Sequence, residues 1–232
     1  LKLDWESELI AIPSFTGLKH ITDFPIEKIR EFIDWTFFFK AWQMRGTYPR
    51  IMNDPVKGKV AKELFKNANK MLDEIIENKL FQANVAYGFW PANSEKNDII
   101  LYKNEKRIGE LTRFNMLRQR KIRNGMALSL SDFIAPKNSK KQDYIGAFAV
   151  TAGINAEELS LDYEKNNDDY NSIMIKTLAD RLAEALAELM HKRVRKEWGF
   201  ADDENITNED LIKERYRGIR PAFGYPACPN HE

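Results

Sequence analysis

The sequence predicts an α+β fold with a mainly antiparallel sheet. Helical and strand-like segments come in mixed order, without the regular strand–helix alternation of a parallel sheet. Short alternating runs flank turn residues, as in hairpins. The 232 residues, 43% of them hydrophobic and 12% aromatic, suffice to bury a sizeable core in one large domain or two small ones.

Residues 1–22 read as an extended arm containing Pro13 and Gly17. Asp23 is a candidate N-cap, with Pro25 in the first turn of a helix running to about Trp42. Ile26, Ile29, Phe32, Ile33 and Phe37 follow helical spacing within it. A loop with Gly46 and Pro49 leads to a second helix over Pro55 to Lys79, with Val60, Leu64, Ala68, Met71, Leu72 and Ile75 on one side. Gln82 to Trp90 alternates like a strand and is expected to stop at Pro91. Asp98 to Tyr102 and Arg107 to Leu111 form an expected hairpin turning at Asn104-Glu105. Residues 113–121 read as helical, and Tyr144 to Thr151 as a strand broken by Gly153. Asn155 and Glu158 have the spacing of a capping box. The longest helix spans about Tyr170 to Trp198. Its leucine face comprises Ile175, Leu178, Leu182, Leu186 and Leu189, flanked by a stripe of Ala179, Ala183 and Ala187 where another backbone could approach. A last short helix is expected to be capped by Thr207 or Asn208. No internal repeat and no low-complexity tract interrupts this order.

The net charge of +1 gives no general case for nucleic acid or an acidic membrane surface. No apolar run has the length of a membrane span, and no signal peptide is evident. The single Cys228 cannot form an internal disulfide, which points to a reducing, cytoplasmic compartment. The chain begins Leu-Lys-Leu without a methionine and ends at His231-Glu232, so it reads as a fragment of something longer. Phosphate-loop, dinucleotide-binding and nucleophile-elbow motifs are absent. His20, His191 and His231 lie far apart and in no metal-ligand spacing, so structural or surface roles are favoured over metal. Cys228 has no sequence-local base and reads as a small buried turn residue rather than a nucleophile.

Three regions invite a functional reading. The last seventeen residues, from Tyr216, hold three prolines and two glycines, so no helix can run through them. They form either a shaped loop for a flat polar molecule bearing a carboxylate, or a tail that wraps the surface. Asp34 is a carboxylate set among Phe32, Trp35, Phe37, Phe38 and Phe39. Burying it unpaired would cost several kcal/mol, so it must face water, cap a helix or meet a cation. Arg118, Arg120, Lys121 and Arg123 are either a solvated helix face or a docking patch for an acidic partner. Glu184, beside the alanine stripe, reads on its own as a solvated helical glutamate.

The run Arg220-Pro221-Ala222-Phe223-Gly224-Tyr225-Pro226-Ala227-Cys228-Pro229 closely resembles the R-P-A-P-G-Y-P-A-C-P signature of the activation domain of cobalamin-dependent methionine synthase. Ile33-Asp34-Trp35-Thr36, Ser131-Asp132-Phe133-Ile134-Ala135-Pro136, Asp143 to Thr151 and Ala179-Asp180-Arg181-Leu182-Ala183-Glu184-Ala185 agree in the same order. The resemblance covers nearly the whole chain, so residues 1–232 are read as one such domain. It implies a bent, mainly antiparallel sheet with flanking helices. It also implies S-adenosylmethionine binding in the reductive methylation and reactivation of cob(II)alamin, as part of a methyltransferase. Cobalamin would be carried by a neighbouring module of the same enzyme, and the electron would come from flavodoxin or a flavoprotein reductase. Asp34, Glu184, Glu214, Arg220, Ala222 and Tyr225 match the family's ligand-binding positions, with no catalytic acid or base and no metal site. Phe223 departs from the family proline, which should loosen the loop. The family's domain also continues past His231-Glu232 into a tyrosine-containing segment that helps hold the ligand. Two alternatives to this reading are a non-catalytic module docking flavodoxin or the cobalamin module, and a stand-alone corrinoid-repair protein.

Overall fold

The computed structural model describes residues 4–122, 125–200, 207, 210 and 215–228. Strand β1 (Gly17–Ile21) precedes helices α1 (Ile26–Arg30), α2 (Trp35–Ala41) and α3 (Gly58–Glu77). Strands β2 (Gln82–Glu95), β3 (Asp98–Tyr102), β4 (Glu110–Asn115) and β5 (Asp143–Ile154) follow, then helices α4 (Ala156–Lys165) and α5 (Asp169–Trp198). The five strands form one sheet of order β1-β2-β3-β4, with β5 also paired to β2. The β2–β3 and β3–β4 ladders are antiparallel, in keeping with the expected class. Among the described residues no helix is long and apolar enough to cross a membrane. The chain divides into two compact units, one with residues 20–86 and 148–192, the other with the segments on either side.

The 20–86 and 148–192 unit is largely helical. The single helix expected over 23–42 is in fact two. Asp34 takes an extended conformation (φ −78°, ψ 96°), and its carboxylate accepts a hydrogen bond from the Thr36 backbone N–H at 2.8 Å. A side chain that offers its own acceptor to the backbone competes with the helix it interrupts and starts a new one. α1 is tied to α3 by Arg30, whose guanidinium donates to Asp73 at 2.6 Å and to Asn69 at 2.7 Å. α3 buries Leu64, Ala68, Met71, Leu72 and Ile75 as the spacing requires, but Val60 is exposed, contrary to expectation. On α5, Ile175, Leu178, Leu182 and Leu186 are fully buried, while Leu189 is only partly so. The alanine stripe beside them is used: a Cβ placed on Gly153 of β5 would lie 2.8 Å from the Ala179 Cβ. Asn155 sits at the start of α4 in the left-handed region (φ 77°), with no side-chain cap, so the expected capping box does not form.

The other unit is built on β2–β4 and an aromatic core. Phe15 meets Tyr87 and Phe89 edge-on, and Phe89 meets Trp198 at 5.3 Å. β2 does not stop at Pro91. Gly88 comes so close to Gly17 of β1 that a Cβ there would lie 2.3 Å from the Gly17 carbonyl oxygen, whereas the β3 ladder begins at Ala92. Pro91 thus falls just before the β3 ladder begins, a place where a missing N–H is tolerated. The expected helix over 113–121 is also a misreading, because residues through Asn115 complete β4, with Arg113 opposite Ile100 and Asn115 opposite Asp98. Arg113 bonds Glu95, Asp98 and Glu110 on three strands, and such cross-strand charge pairing favours the strand. The hairpin accordingly returns at Glu110, later than expected.

Gly153→Val should lower stability by about 1–3 kcal/mol through overpacking against Ala179. A shift in the urea unfolding midpoint checks this; an unchanged midpoint would show that α5 yields freely.

Candidate functional site

The closing segment contains turns and no helix over 215–228. Its tip is a tight turn in which the Cys228 N–H donates to the Tyr225 carbonyl at 2.9 Å and the Gly224 N–H to the Cys228 carbonyl at 2.8 Å. Pro226 occupies the second position of that turn, where its fixed φ is pre-set. Gly224 has φ 87°, a conformation that side-chain-bearing residues rarely take.

Three anchors fix the turn to its unit. Cys228 is buried against Ala92, Ile99, Leu101 and Met116. Burial pushes its thiol above the ordinary range, which agrees with an inert packing role. The Phe223 ring lies 5.9 Å from Phe114 of β4, so the residue that departs from the family pattern adds an anchor. Upstream, Arg195 near the end of α5 donates to the Arg217 carbonyl at 2.6 Å and stacks over Tyr216. Between these anchors Arg220, Ala222 and Tyr225 are all exposed on one short stretch. A loop held in this way presents its guanidinium, phenol and backbone groups with little entropy left to lose.

Asp34 and Glu184 belong to the other compact unit. One Asp34 oxygen caps α2, and its second oxygen makes no hydrogen bond among the described residues, so the half-buried carboxylate keeps an acceptor for a cation. Trp35 beside it packs edge-on to Phe65 at 4.6 Å and Phe38 at 5.2 Å, which stiffens this helix start. Glu184 is exposed on α5. The structure thus gathers Arg220, Ala222 and Tyr225 on one loop and holds Asp34 and Glu184 on two helices of the second unit. Glu214, like His231 and Arg123, lies outside the described residues. Of the helix expected near Thr207, the described residues show Thr207 and Asp210 exchanging capping hydrogen bonds. Among the described residues no group of three or more His, Cys, Asp or Glu could hold a metal.

The family model for the activation domain of vitamin B12 dependent methionine synthase matches residues 25–232. The chain belongs to this family. A crystal structure of the MetH reactivation domain bound to AdoHcy is similar to it, with a TM-score of 0.95 and 47% sequence identity, covering 100% of this chain and 71% of that one.

The activation-domain fold uses its basic residues unevenly. Arg118, a candidate for either a solvated face or a docking patch, is held by a two-pronged ion pair to Asp132 at 2.7 and 2.8 Å, and also bonds Asn97 and the Ala127 carbonyl. It is a structural brace, and Arg120 and Lys121 are left exposed without it. Sequence reasoning overlooked a second basic group, Arg107 with Lys137, Lys140 and Lys141, which lines a cavity of about 410 Å³. The available signal was the cluster of lysines just after Pro136, but Arg107 is far from it in sequence.

The Arg118 guanidinium holds the Asp132 carboxyl below its usual range, with the Ser129 backbone N–H helping. A depressed folded-state pKa gives stability that is present above the unfolded value and lost as pH falls through the folded one. Asp132→Asn should therefore destabilise the domain at neutral pH. Its deficit against the unmodified chain should shrink steadily as acid carries Asp132 through its lowered pKa. Urea midpoints measured across pH check this, and a pH-independent deficit would assign the effect to packing.

Proposed function

We propose that this chain binds S-adenosylmethionine and serves the reductive methylation that returns cobalamin to its active form in a methionine synthase. The observation that carries this reading is the relative at 47% identity, bound to AdoHcy, the molecule left when S-adenosylmethionine gives up its methyl group. The residues here suit that ligand. The open oxygen of Asp34 is a counter-charge for the ligand's ammonium. Arg220 offers its carboxylate a planar fork of two charge-assisted hydrogen bonds. Ala222 and Tyr225, on the proline-set turn, present backbone groups to the adenine edge. Glu184 and Glu214 add acidic character for the cationic end. Cobalamin, when delivered by a neighbouring module, supplies the nucleophile, and the sulfonium is its own leaving group. The work of this chain is positioning and electrostatics, with no general base required. The electron would come from a flavodoxin or flavoprotein reductase. The cytoplasmic setting of such an enzyme fits a chain whose one cysteine is a free, buried thiol.

Calorimetric titration with S-adenosylmethionine tests the reading, and absence of binding to a folded chain would overturn it. Asp34→Asn should preserve stability, because asparagine caps helices as well as aspartate does, while weakening binding by about 1.5–3 kcal/mol, the scale of a charged hydrogen bond. Asp34→Ala should lose the same affinity and also about 1 kcal/mol of stability with the cap. Equal affinity in Asp34→Asn would leave Asp34 a helix cap alone.

Arg220→Lys should weaken binding by about 1–3 kcal/mol, since a point ammonium cannot reproduce the fork. Unchanged affinity with the fold intact would make Arg220 a structural residue.

A further inference from the structure

The cavity lined by Arg107, Lys137, Lys140 and Lys141 lies wholly within the unit that holds β2–β4, and the ligand reading above makes no use of it. Its floor is rigid. Arg107 is stacked on the Tyr102 and Tyr144 rings at 5.5 and 5.6 Å. Its guanidinium donates to Asn93 Oδ1 and to the carbonyls of Ala92 and Asp143, all neutral acceptors. The rim is a loop pinned at both ends by one buried side chain: Asn93 Nδ2 donates to the Ala135 carbonyl at 2.9 Å and to the Lys141 carbonyl at 3.0 Å. The Ser94 hydroxyl adds a bond to the Ile134 carbonyl.

The charges around the cavity are not balanced. Among the described residues Arg107, Lys140 and Lys141 form no ion pair, and Lys137 has only a loose one, to Glu95 at 3.8 Å. The acidic residue in the lining, Glu110, is already engaged on both oxygens by Arg113, at 2.8 and 3.0 Å. Four cations therefore face a concave space with their local anion spoken for, in a chain whose total charge is only +1. Low-dielectric walls around charges of one sign focus the field on whatever enters. A concave space of small-molecule size favours a compact ligand over a flat protein surface.

We propose that this cavity is a binding site for a small multivalent oxyanion of the phosphate class, separate from the S-adenosylmethionine site. Arg107 supplies a fixed charge at the base, Lys137 and Lys140 close on the anion as mobile ammonium donors, and Lys141 joins them by exchanging the Glu6 carbonyl, which it bonds at 3.0 Å, for the anion. The probe is inorganic pyrophosphate, titrated calorimetrically at constant ionic strength, with sodium chloride as the matched control. Saturable binding is expected, falling by about tenfold or more in Lys140→Gln/Lys141→Gln, the scale of one charge-assisted hydrogen bond. The melting temperature without the probe checks that the variant folds. Lys140→Arg should retain binding, and Lys165→Gln, on α4, should leave it unchanged. S-adenosylmethionine titration of the same variants should be unaffected, which keeps failure of this proposal distinct from failure of the functional reading. Absence of saturable binding, equal affinity in the double glutamine variant, or the same response to chloride would each overturn it.

Discussion

The structure depends on β2 running unbroken from Gln82 to Glu95, because β1, β3 and β5 all hydrogen-bond to it. A strand with neighbours on both edges has no spare N–H to give up, so each irregular residue in it must fall where pairing permits. Gly88 has no Cβ because the Gly17 carbonyl occupies that space. Pro91 stands just before the β3 ladder begins. Beyond that point the side chains of β2 turn to a second task. Ala92 lies in the cluster that receives Cys228, while Asn93 and Ser94 hold the 134–141 loop. One strand thereby positions the closing turn and the basic cavity alike.

The closing turn has almost no regular structure of its own, so its shape must come from its attachments. Pro226 restricts the backbone before any contact is made, which lowers the entropy lost on ordering, and Gly224 takes the positive φ that the turn requires. Cys228 and Phe223 then fix the turn to β3 and β4 neighbours, and Arg195 fixes its approach from α5. A segment with this much proline would otherwise wander over the surface. Anchored here, it holds Arg220, Ala222 and Tyr225 outward within a few residues of one another. The same burial that anchors Cys228 also raises its thiol pKa, so the role of this lone cysteine is packing.

The strongly periodic parts of this fold were legible in the sequence. α3 and α5 follow their apolar spacing closely, and the alanine stripe foretold a close backbone approach that Gly153 makes. The misreadings share a cause: each involved a local signal overruled by a partner distant in sequence. Pro91 looked like a stop, yet its strand runs on through the β3 ladder that begins at Ala92. Residues 113–115 looked helical until Glu95 and Asp98 drew Arg113 across the sheet. Asn155 had cap spacing, yet its backbone turned left-handed between β5 and α4 and took the side chain away. Of the roles open to Asp34 in the sequence, the helix cap is the one seen, since one oxygen accepts from the Thr36 N–H. The closing loop was legible by its motif, but its three anchors were not, because Ala92, Phe114 and Arg195 carry no mark in the sequence.

Charge counting along the chain was the least informative reading, for a physical reason. Thirty-six basic residues against thirty-five acidic ones look neutral, but what a cation can do depends on whether a carboxylate already holds it. Arg113 and Arg118 lie in the sequence stretch that looked most basic, and both are bound by acidic neighbours across strands and loops. An arginine fork whose charge is already met by a carboxylate on two donors has little to offer a visiting anion, and its contribution is rigidity. The lysines of the 137–141 loop have the opposite circumstances: a backbone fixed by Asn93, with Lys137 only loosely paired to Glu95 at 3.8 Å, Lys141 on a neutral carbonyl of Glu6 and Lys140 in no ion pair among the described residues. Fixed placement with unspent charge favours anion binding, whereas dense local sequence charge predicts only that some pairing will occur. Basic residues in this fold therefore divide into braces and binders by their partners in space, and Arg107, stacked between two tyrosines on neutral acceptors, belongs with the binders.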